Sequence, residues 1–360
     1  MILKPHHDLL KGKCMFYQAR EIRNVNVAVI GGAGFLGSHL VQHLIVDRQC
    51  KVYVFDNLII GKREFLHPEA IFNWYDITGS EDSLRKMLKA FNIDYVFNYA
   101  AMPYIPTSFK HPLRVFDVNA MGALKVINAS QEAGVRAILQ VSSAEIYGEG
   151  TRHIGINDPH FSTKIDEFDH VAPHSTYGAA KAAIDYLVQA RFKEAATPCI
   201  ALRQFNCIGE RETHPYVVPE IISQLKSYPN CCPLGLKRVT QAIVKLGNNS
   251  ARDFQYAGDA VRNAVLLLEK GQFGNVYNMG SEDSIKIYDL ATLIGKLMGF
   301  TEVTVEVDLA RVRPWEIWHL QSDNSLLWDT IGEQPVTSLE EALKLTINDF
   351  YNNSGKWSWQ

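Results

Sequence analysis

The chain has 360 residues, with 36 Lys and Arg against 39 Asp and Glu and a net charge of −3. Because the two signs are interspersed, we expect no nucleic-acid or membrane-surface partner, since such proteins usually carry a basic patch. The sequence has no run of about 18 apolar residues, which a membrane-spanning helix needs. Its length suits one large domain or two modest ones that share a core.

The cysteine pattern predicts thiols that stay reduced. None of the six cysteines forms a Cys-x-x-Cys pair, and the spacing typical of metal ligands is absent. We therefore expect a cytoplasmic protein without a metal site. Residues 1–22 lack the continuous apolar stretch of a signal peptide and are predicted to form an N-terminal appendage. The cysteines are Cys14, Cys50, Cys199, Cys207, Cys231 and Cys232.

Short apolar runs alternate with amphipathic segments through the first 204 residues. The runs predict strands at residues 25–30, 51–55, 95–99, 137–141 and 199–202. The amphipathic segments predict helices at residues 36–46, 80–91, 113–133 and 177–195. Strands that are apolar throughout and alternate with helices are typical of a parallel sheet covered on both faces. We predict an α/β fold with a doubly wound, parallel-sheet Rossmann domain.

The second part of the chain differs in pattern. After about Gln204 the alternation fades, and glycines and prolines interrupt the short elements. We expect the Rossmann domain at residues 23–204. Residues 205–360 should form mainly a smaller C-terminal substrate-binding lobe, with some segments returning to the Rossmann sheet. Ligands of such folds bind at the carboxyl ends of the strands, where this lobe would close over them.

A glycine-rich turn follows the first predicted strand. Gly31, Gly34 and Gly37 are spaced Gly-x-x-Gly-x-x-Gly, and Phe35 and Leu36 begin the next helix. Glycine allows the tight turn and the close approach of a pyrophosphate, which the helix N-terminus then attracts. The next strand is followed by Asp56, whose carboxylate would bind the adenosine ribose and repel a 2′-phosphate. The predicted cofactor is therefore NAD rather than NADP.

A tyrosine and a lysine four residues apart begin the helix predicted at 177–195. Tyr177 and Lys181 share one helical face, so the ammonium lies near the phenol. A tyrosine has an unperturbed pKa of about 10, and Lys⁺ together with the positive nicotinamide lowers it towards that of a usable base. Ser175 or Thr176 is expected to cap this helix. Another hydroxyl, in Ser142-Ser143, follows a predicted buried strand and faces the same crevice.

Together these motifs resemble the extended short-chain dehydrogenases that act as nucleotide-sugar epimerases, dehydratases and decarboxylases. The motifs occur in the order of that family, over roughly residues 25–350. They are the glycine turn, Asp56, Asn98-Tyr99-Ala100-Ala101, Asn119, Ser142-Ser143-Ala144-Glu145-Ile146-Tyr147-Gly148, Tyr177 with Lys181, and Arg203-Gln204-Phe205-Asn206. Asn98 is a departure, since many relatives have His there.

The resemblance implies roles for individual residues. Tyr177 acts as the catalytic base, Lys181 as its partner and Ser143 as the hydroxyl that shares the substrate hydrogen bond. Asn206 and Ser143 are expected to contact the substrate, Arg252 and Arg313 to hold its diphosphate, and Glu316 to bind the nucleotide ribose. The expected cofactor residues are Gly31, Gly34, Phe35, Leu36, Gly37, Asp56, Asn57, Asp76, Ile77, Tyr99, Ala100, Ala101, Asn119, Tyr177 and Lys181. Asp76 also has a simpler interpretation, as an acid in a surface turn.

Glu145 bears on the choice of reaction. The resemblance implies oxidation at C4 of a nucleoside diphosphate sugar, after which a carboxylate could remove the acidic C5 proton. Glu145 occupies the position where dehydratases and decarboxylases carry this base, which favours a 4,6-dehydratase. Ala144 stands where hexose dehydratases place a proton donor, so a 4-epimerase with an idle Glu145 stays open. A uronate decarboxylase fits less well, and so does a non-catalytic NAD-binding protein.

The long helices and three loops complete the expectations. Each of the helices at 113–133 and 177–195 has an apolar face, and in the resembled family such helices pair into a homodimer. The loops at 102–109 and 210–219 are expected to shape the sugar pocket. The stretch at 151–174 is longer than expected for a connection of this kind and is a candidate lid.

Overall fold

The computed structural model describes residues 21–148, 164–213, 215–228, 239–313 and 315–353. The strands are β1 (Asn26–Ile30), β2 (Lys51–Asp56), β3 (Ile71–Trp74), β4 (Tyr95–Asn98), β5 (Ala137–Val141), β6 (Cys199–Gln204), β7 (Asn206–Ile208), β8 (Val239–Leu246), β9 (Ala251–Tyr256), β10 (Val276–Met279), β11 (Ser284–Lys286), β12 (Phe300–Val307) and β13 (His319–Leu320). The α-helices are α1 (Phe35–Val46), α2 (Glu81–Ala90), α3 (Ile105–Lys110), α4 (Pro112–Phe116), α5 (Ala123–Ala133), α6 (Thr176–Ala195), α7 (Val217–Lys226), α8 (Ala257–Lys270), α9 (Ile287–Leu297), α10 (Ser325–Ile331) and α11 (Leu339–Asn352).

A seven-stranded sheet forms the centre of the fold. Its strand order is β3-β2-β1-β4-β5-β6-β10, and every neighbouring pair is parallel. The order reverses between β1 and β4, which is where ligands bind in open α/β sheets. The predicted doubly wound α/β fold is confirmed.

Alternate residues of the strands pack on opposite faces of this sheet. On β1, Val27 and Val29 contact one core, which includes apolar residues of α1, α8 and α10. Ala28 and Ile30 contact the other, which includes residues of α2, α5 and α6. Because both faces are covered, most residues of the central strands are apolar, as the sequence pattern indicated.

The helix predicted at residues 113–133 contains a change of winding. It is α-helical over α4, π-helical over Asp117–Gly122 and α-helical again over α5. It ends at Gly134, whose φ of 82° is the left-handed conformation that favours glycine as a helix terminator. The next predicted helix, α6, begins at Thr176, and its cap is Ser175, whose hydroxyl accepts a hydrogen bond from the Gly178 N–H at 3.0 Å.

The smaller part of the molecule faces the carboxyl ends of the seven-stranded sheet and contains smaller sheets with a separate core. The antiparallel β11 and the parallel β13 both pair with β9, and β7 also pairs with β9. β8 and β12 form a parallel pair. α7, α9 and α11 bury their apolar faces here, among residues such as Ile221, Leu290 and Ile347.

The chain crosses between these two parts more than once. β10 completes the seven-stranded sheet, and α8 packs against its core. Ile22 is fully buried in that core, and its N–H donates to Glu269 at 2.8 Å. The boundaries at 22 and 204 stay predictions, and residues 1–20 lie outside the described part. None of the described helices combines the length and apolarity that crossing a bilayer requires.

Candidate functional site

A cleft of about 910 Å³ lies between the carboxyl ends of the large sheet and the smaller part of the molecule. Its sheet wall is formed by the turns that follow β1, β2, β4 and β5 and by the start of α6. Its lobe wall is formed by the segment after β6, by the start of β9, and by residues 310–313 and Glu316. The loops predicted at 102–109 and 210–219 both contribute side chains, including Tyr104, Phe109, Glu212 and Tyr216.

The glycine turn is shaped by close contacts between backbones. Gly31 has a φ of 76°, and a Cβ atom there would lie 2.6 Å from the Ala100 nitrogen. A Cβ atom on Gly37 would overlap the Gly31 carbonyl oxygen. Gly34 precedes α1 and makes no side-chain cap, so the first N–H groups of the helix stay available to an anion. Gly31, Gly34, Phe35, Leu36 and Gly37 all line the cleft, and their contact with a pyrophosphate stays a prediction.

Two acidic residues lie near the end of β2: Asp56 is part of the cleft wall, and Asp76 lies behind it. Asp56 is buried in the wall, where it accepts hydrogen bonds from the Ala33 N–H at 3.0 Å and the Leu58 N–H at 2.8 Å. Burial raises the pKa of Asp56, and these two N–H groups oppose that shift. Asp76 is not among the lining residues; it accepts from Asn57 Nδ2 at 3.0 Å and from the Thr78 hydroxyl.

Asp76 therefore positions Asn57, which lines the cleft together with Ile77. Burial acts to raise the pKa of Asp76, but hydrogen bonds from Thr78 and Asn57 outweigh it and hold the pKa below its ordinary value. A contact between Asp76 itself and the adenine stays a prediction.

The turn after β4 is held from behind by two buried amides. Tyr99, Ala100 and Ala101 line the cleft. Asn119, in the π-helical segment, does not line it, but accepts from the Met102 N–H at 2.7 Å and donates to the Met102 carbonyl at 3.1 Å. Asn98 bonds Gln140 and accepts from the Ala100 N–H at 3.2 Å. Both asparagines thus fix the backbone that faces a cofactor, and direct cofactor contact by Asn119 stays a prediction.

These features fit a dinucleotide. The uncapped helix N-terminus suits a pyrophosphate, and the Asp56 carboxylate has lone pairs left for ribose hydroxyls. The turn at Gly31 and Gly37 has no room for a Cβ atom, because one would overlap the neighbouring backbone. Within the described ranges, no group of three or more His, Cys, Asp or Glu side chains has the arrangement of a metal site.

Tyr177, Lys181 and Ser143 meet at the centre of the cleft. Lys181 Nζ lies 5.9 Å from the centroid of the Tyr177 ring and donates to the Val141 carbonyl at 3.0 Å. Burial raises the pKa of Tyr177 to about 12, and the neighbouring Ser143 hydroxyl opposes that shift. Burial lowers the pKa of Lys181 to about 8, against the effect of the nearby Asp185 carboxylate.

A buried polar network supports Lys181 from behind. Asp185 lies one helical turn after Lys181 and accepts from Arg203 Nε at 2.6 Å. Arg203 also donates to the Tyr147 hydroxyl at 2.7 Å, and Tyr147 donates to Asn278 Oδ1 at 2.6 Å. The network links α6 to β6 and β10. It therefore fixes the helix that carries Tyr177 and Lys181 against the sheet.

Glu145 enters the cleft two residues after Ser143. The Ser143 hydroxyl caps a short 3₁₀ turn, Ala144–Ile146, by accepting from the Glu145 N–H at 3.2 Å. Ala144 is 1% exposed and packs in an apolar cluster with Ile146 and Tyr147. Glu145 is half-buried and near enough to Tyr177 for its charge to raise the phenol pKa. Within the described ranges, the Glu145 carboxylate forms no hydrogen bond or ion pair.

The predicted substrate residues meet on the lobe wall. Asn206, Arg252, Arg313 and Glu316 all line the cleft. Arg252 is buried; it pairs with Glu316 at 2.5 Å and donates to the Ile317 carbonyl at 2.6 Å. Arg313 is 36% exposed and lies 4.0 Å from Glu316, so it is the more accessible guanidinium. Pro314, between them, lies outside the described part.

Some lining residues were not predicted individually. Arg211 and Arg311 add cations, and Glu212 adds a buried carboxyl group. Tyr104 and Tyr216 meet edge to face, with ring centroids 6.2 Å apart. Their loops had been expected to face the sugar, but no motif distinguished these side chains from their neighbours.

Comparisons with known proteins agree with this geometry. A family model described as the NAD dependent epimerase/dehydratase family matches residues 27–280. The dTDP-D-glucose 4,6-dehydratase of Mus musculus is 27% identical over 349 residues, which cover 92% of this chain and 90% of the relative. The UDP-glucose 4-epimerase of Lacticaseibacillus casei is 28% identical over 287 residues, covering 76% and 82%.

A solved structure shows the same architecture. The UDP-glucose 4-epimerase of Thermotoga maritima, crystallised with UDP-glucose, superposes with a TM-score of 0.77 at 26% identity, covering 91% of this chain and 99% of that one. The predicted family resemblance and the NAD cofactor are confirmed by the family match. From its fold, its cleft and these matches, the chain belongs to the NAD dependent epimerase/dehydratase family of enzymes.

Proposed function

We propose that this enzyme is a nucleoside diphosphate hexose 4,6-dehydratase, which converts its substrate to a 4-keto-6-deoxy sugar. The observation that carries the proposal is Glu145. Its carboxylate lies in the cleft beside Tyr177. Within the described ranges it forms no ion pair and caps no helix. A carboxylate in this position can remove the proton from C5 once C4 is a ketone.

The proposed roles follow from the site geometry. Bound NAD supplies the hydride acceptor and later the hydride donor. Tyr177 takes the proton of the C4 hydroxyl, to which Ser143 contributes a hydrogen bond. Lys181, charged beside the phenol, and the positive charge of the oxidised cofactor would together counter the burial that raises the pKa of Tyr177. Glu145 then takes the C5 proton.

Arginines on the lobe wall are proposed to bind the diphosphate of the substrate. Arg313 is accessible at the cleft, and an arginine fork suits phosphate oxygens. Arg252 is partly engaged by Glu316, so we propose that it contributes through its remaining donors. Asn206 is proposed to contact the substrate, and Glu316 the nucleotide ribose.

A 4-epimerase is the second candidate, because Ala144 cannot donate a proton to a leaving hydroxyl. It is an apolar side chain in an apolar cluster. Some relatives are named as 4-epimerases. If Glu145 takes no part, the 4-keto sugar would rotate within the site and take the hydride back at C4 on its opposite face. A uronate decarboxylase or a non-catalytic NAD-binding protein has less support from the site.

Product analysis tests the proposal. UDP-, GDP-, CDP- and dTDP-hexoses would be incubated with the enzyme in D₂O, and the products identified by NMR. We expect one of them to yield a 4-keto-6-deoxy sugar with solvent deuterium at C5. Glu145→Gln should lower this conversion by roughly 10²–10⁴-fold, the usual contribution of a general base. An epimer, formed equally well by the variant, would contradict the proposal.

We also propose a homodimer built on α4–α5 and α6. Leu113 is 87% exposed, Tyr186 is 60% exposed and Met121 is 46% exposed, all on these helices. An apolar surface shared by two long helices suits an isologous interface. Sedimentation should give twice the mass of the chain, and a monomer would contradict this proposal.

A cytoplasmic location is proposed from the cysteines. Cys50, Cys199 and Cys207 are free thiols. Cys14, Cys231 and Cys232 lie outside the described part. Free thiols are typical of reducing compartments, and fractionation of cells would test this proposal.

A further inference from the structure

Glu212 is a buried carboxyl group in the cleft that the steps above do not use. It lies between β7 and α7, lines the lobe wall and is only 6% exposed. Its Oε2 atom is fully enclosed and has no hydrogen-bond partner. An ionised carboxylate with an unpaired, enclosed oxygen is costly, so such a group holds a proton instead.

The surroundings of Glu212 also favour its protonated form. Burial raises its pKa well above the ordinary value, and only the Gly209 backbone N–H opposes this shift. No lysine or arginine acts on it among the described residues. These surroundings favour a Glu212 carboxyl group that holds a proton and can donate it.

Glu212 lines the same cleft as Tyr177. The Tyr216 phenol is within electrostatic range of both Tyr177 and Glu212, and it meets Tyr104 edge to face. Glu145 acts directly on Tyr177. Glu145, Glu212, Tyr177 and Tyr216 therefore line one cleft, with Glu145 on its sheet wall and Glu212 on its lobe wall.

We propose that Glu212 is the general acid that protonates the leaving C6 hydroxyl, in place of the donor that Ala144 cannot supply. This inference rests on the proposed dehydratase activity. In the step, Glu145 takes the C5 proton, the C5–H electron pair forms the C5–C6 double bond, and the C6–O bond breaks. The Glu212 proton goes to that oxygen, so one water leaves and no oxidant or reductant is consumed.

A fluorinated substrate separates proton donation from every other role. Fluoride leaves without a proton, so a 6-deoxy-6-fluoro analogue of the accepted hexose bypasses a missing acid. Glu212→Gln keeps the size and the neutrality of the side chain but cannot give up a proton in this way. We expect this variant to eliminate water about 10²-fold more slowly or worse, while it eliminates fluoride near the wild-type rate.

Three outcomes would overturn the inference. Water elimination by Glu212→Gln could match that of the wild type, water and fluoride elimination could fall equally, or formation of reduced nicotinamide could be lost with both. Glu212→Asp, a shorter acid, provides the second variant and should recover part of the water elimination. Failure of the proposed function has a different signature, because the wild type itself would then give an epimer and release no fluoride.

Discussion

The two walls of the cleft are built in different ways. On the sheet wall, the reactive groups follow strand ends and are fixed by near neighbours, such as Ser175 capping α6 and Ser143 capping the turn of Glu145. On the lobe wall, charged groups are fixed by distant ones, as where Arg252 pairs with Glu316, 64 residues away. The proposed hydride transfer belongs to the first wall. The proposed fate of the ketone depends on groups from both.

The contrast suggests that oxidation at C4 and the later fate of the 4-keto sugar depend on differently built parts of the cleft. Tyr177 and Lys181 share the first turns of one helix, and Ser143 follows the strand end whose Val141 carbonyl accepts from Lys181. The loop after β7 that carries Glu212 is held by a distant residue, since the Arg211 N–H donates to Asp349 at 2.8 Å. Mutations of Tyr177, Lys181 or Ser143 should therefore stop oxidation, and mutations of Glu145 or of the lobe wall should alter the fate of the ketone.

The strongest effect should fall on oxidation at the sheet wall. Tyr177→Phe removes the base and should slow formation of reduced nicotinamide by about 10³-fold. Tyr186→Phe is the matched control, because Tyr186 lies on the same helix but is 60% exposed. Reduced nicotinamide would be followed by its absorbance after substrate is mixed with the holoenzyme. Equal rates for Tyr177→Phe and the control would contradict the assignment.

A smaller but selective effect is expected at the glycine turn. Gly31→Ala combines left-handed strain with an overlap against the Ala100 backbone, and should cost about 2–5 kcal/mol of unfolding free energy. Gly134→Ala shares the positive φ, but nothing lies within 4 Å of its Cβ position, so strain alone should cost about 1–2 kcal/mol. Denaturant titrations would measure both. Equal costs would show that close backbone approach does not shape the turn.

Local patterns predicted the sheet wall closely. The strand predicted at 137–141 is β5 to the residue, and the glycines, Asp56, Tyr177 and Lys181 all line the cleft. The reason is that periodicity, helix caps and tight turns depend on residues near one another in sequence. The same reasoning could not foresee the π-helical winding at 117–122, where Asn119 bonds Met102 instead of lining the cleft.

The lobe wall was predicted only as far as the family resemblance extended. Arg252 and Glu316 were expected to face the substrate, but their mutual ion pair depends on how β9 meets the segment before β13. Glu212 had no motif at all. Its properties arise from burial, which a linear pattern does not encode for a lone acid in a loop.

The weakest effect is a change in the pH dependence of stability. The folded pKa of Glu212 is raised above its unfolded value, so its stabilising contribution is full below about pH 4.5 and declines as pH rises towards the folded pKa. Glu212→Gln does not titrate, so it should gain on the wild type by about 1.4 kcal/mol per pH unit across that window. Urea titrations at pH 5 and pH 7 would measure the gain. A difference that does not change with pH would show that Glu212 is ionised in the folded protein.

The sheet wall, in the mechanism proposed for this enzyme, makes a 4-keto sugar, and a carboxylate base then drives the loss of water. A nucleoside diphosphate hexose carrying deuterium at C4 would distinguish this sequence of steps from epimerisation in a single measurement. We expect NMR to find the label at C6 of a 4-keto-6-deoxy product, because the hydride taken from C4 returns to C6. Label that returns to C4 of an epimerised hexose would contradict the mechanism.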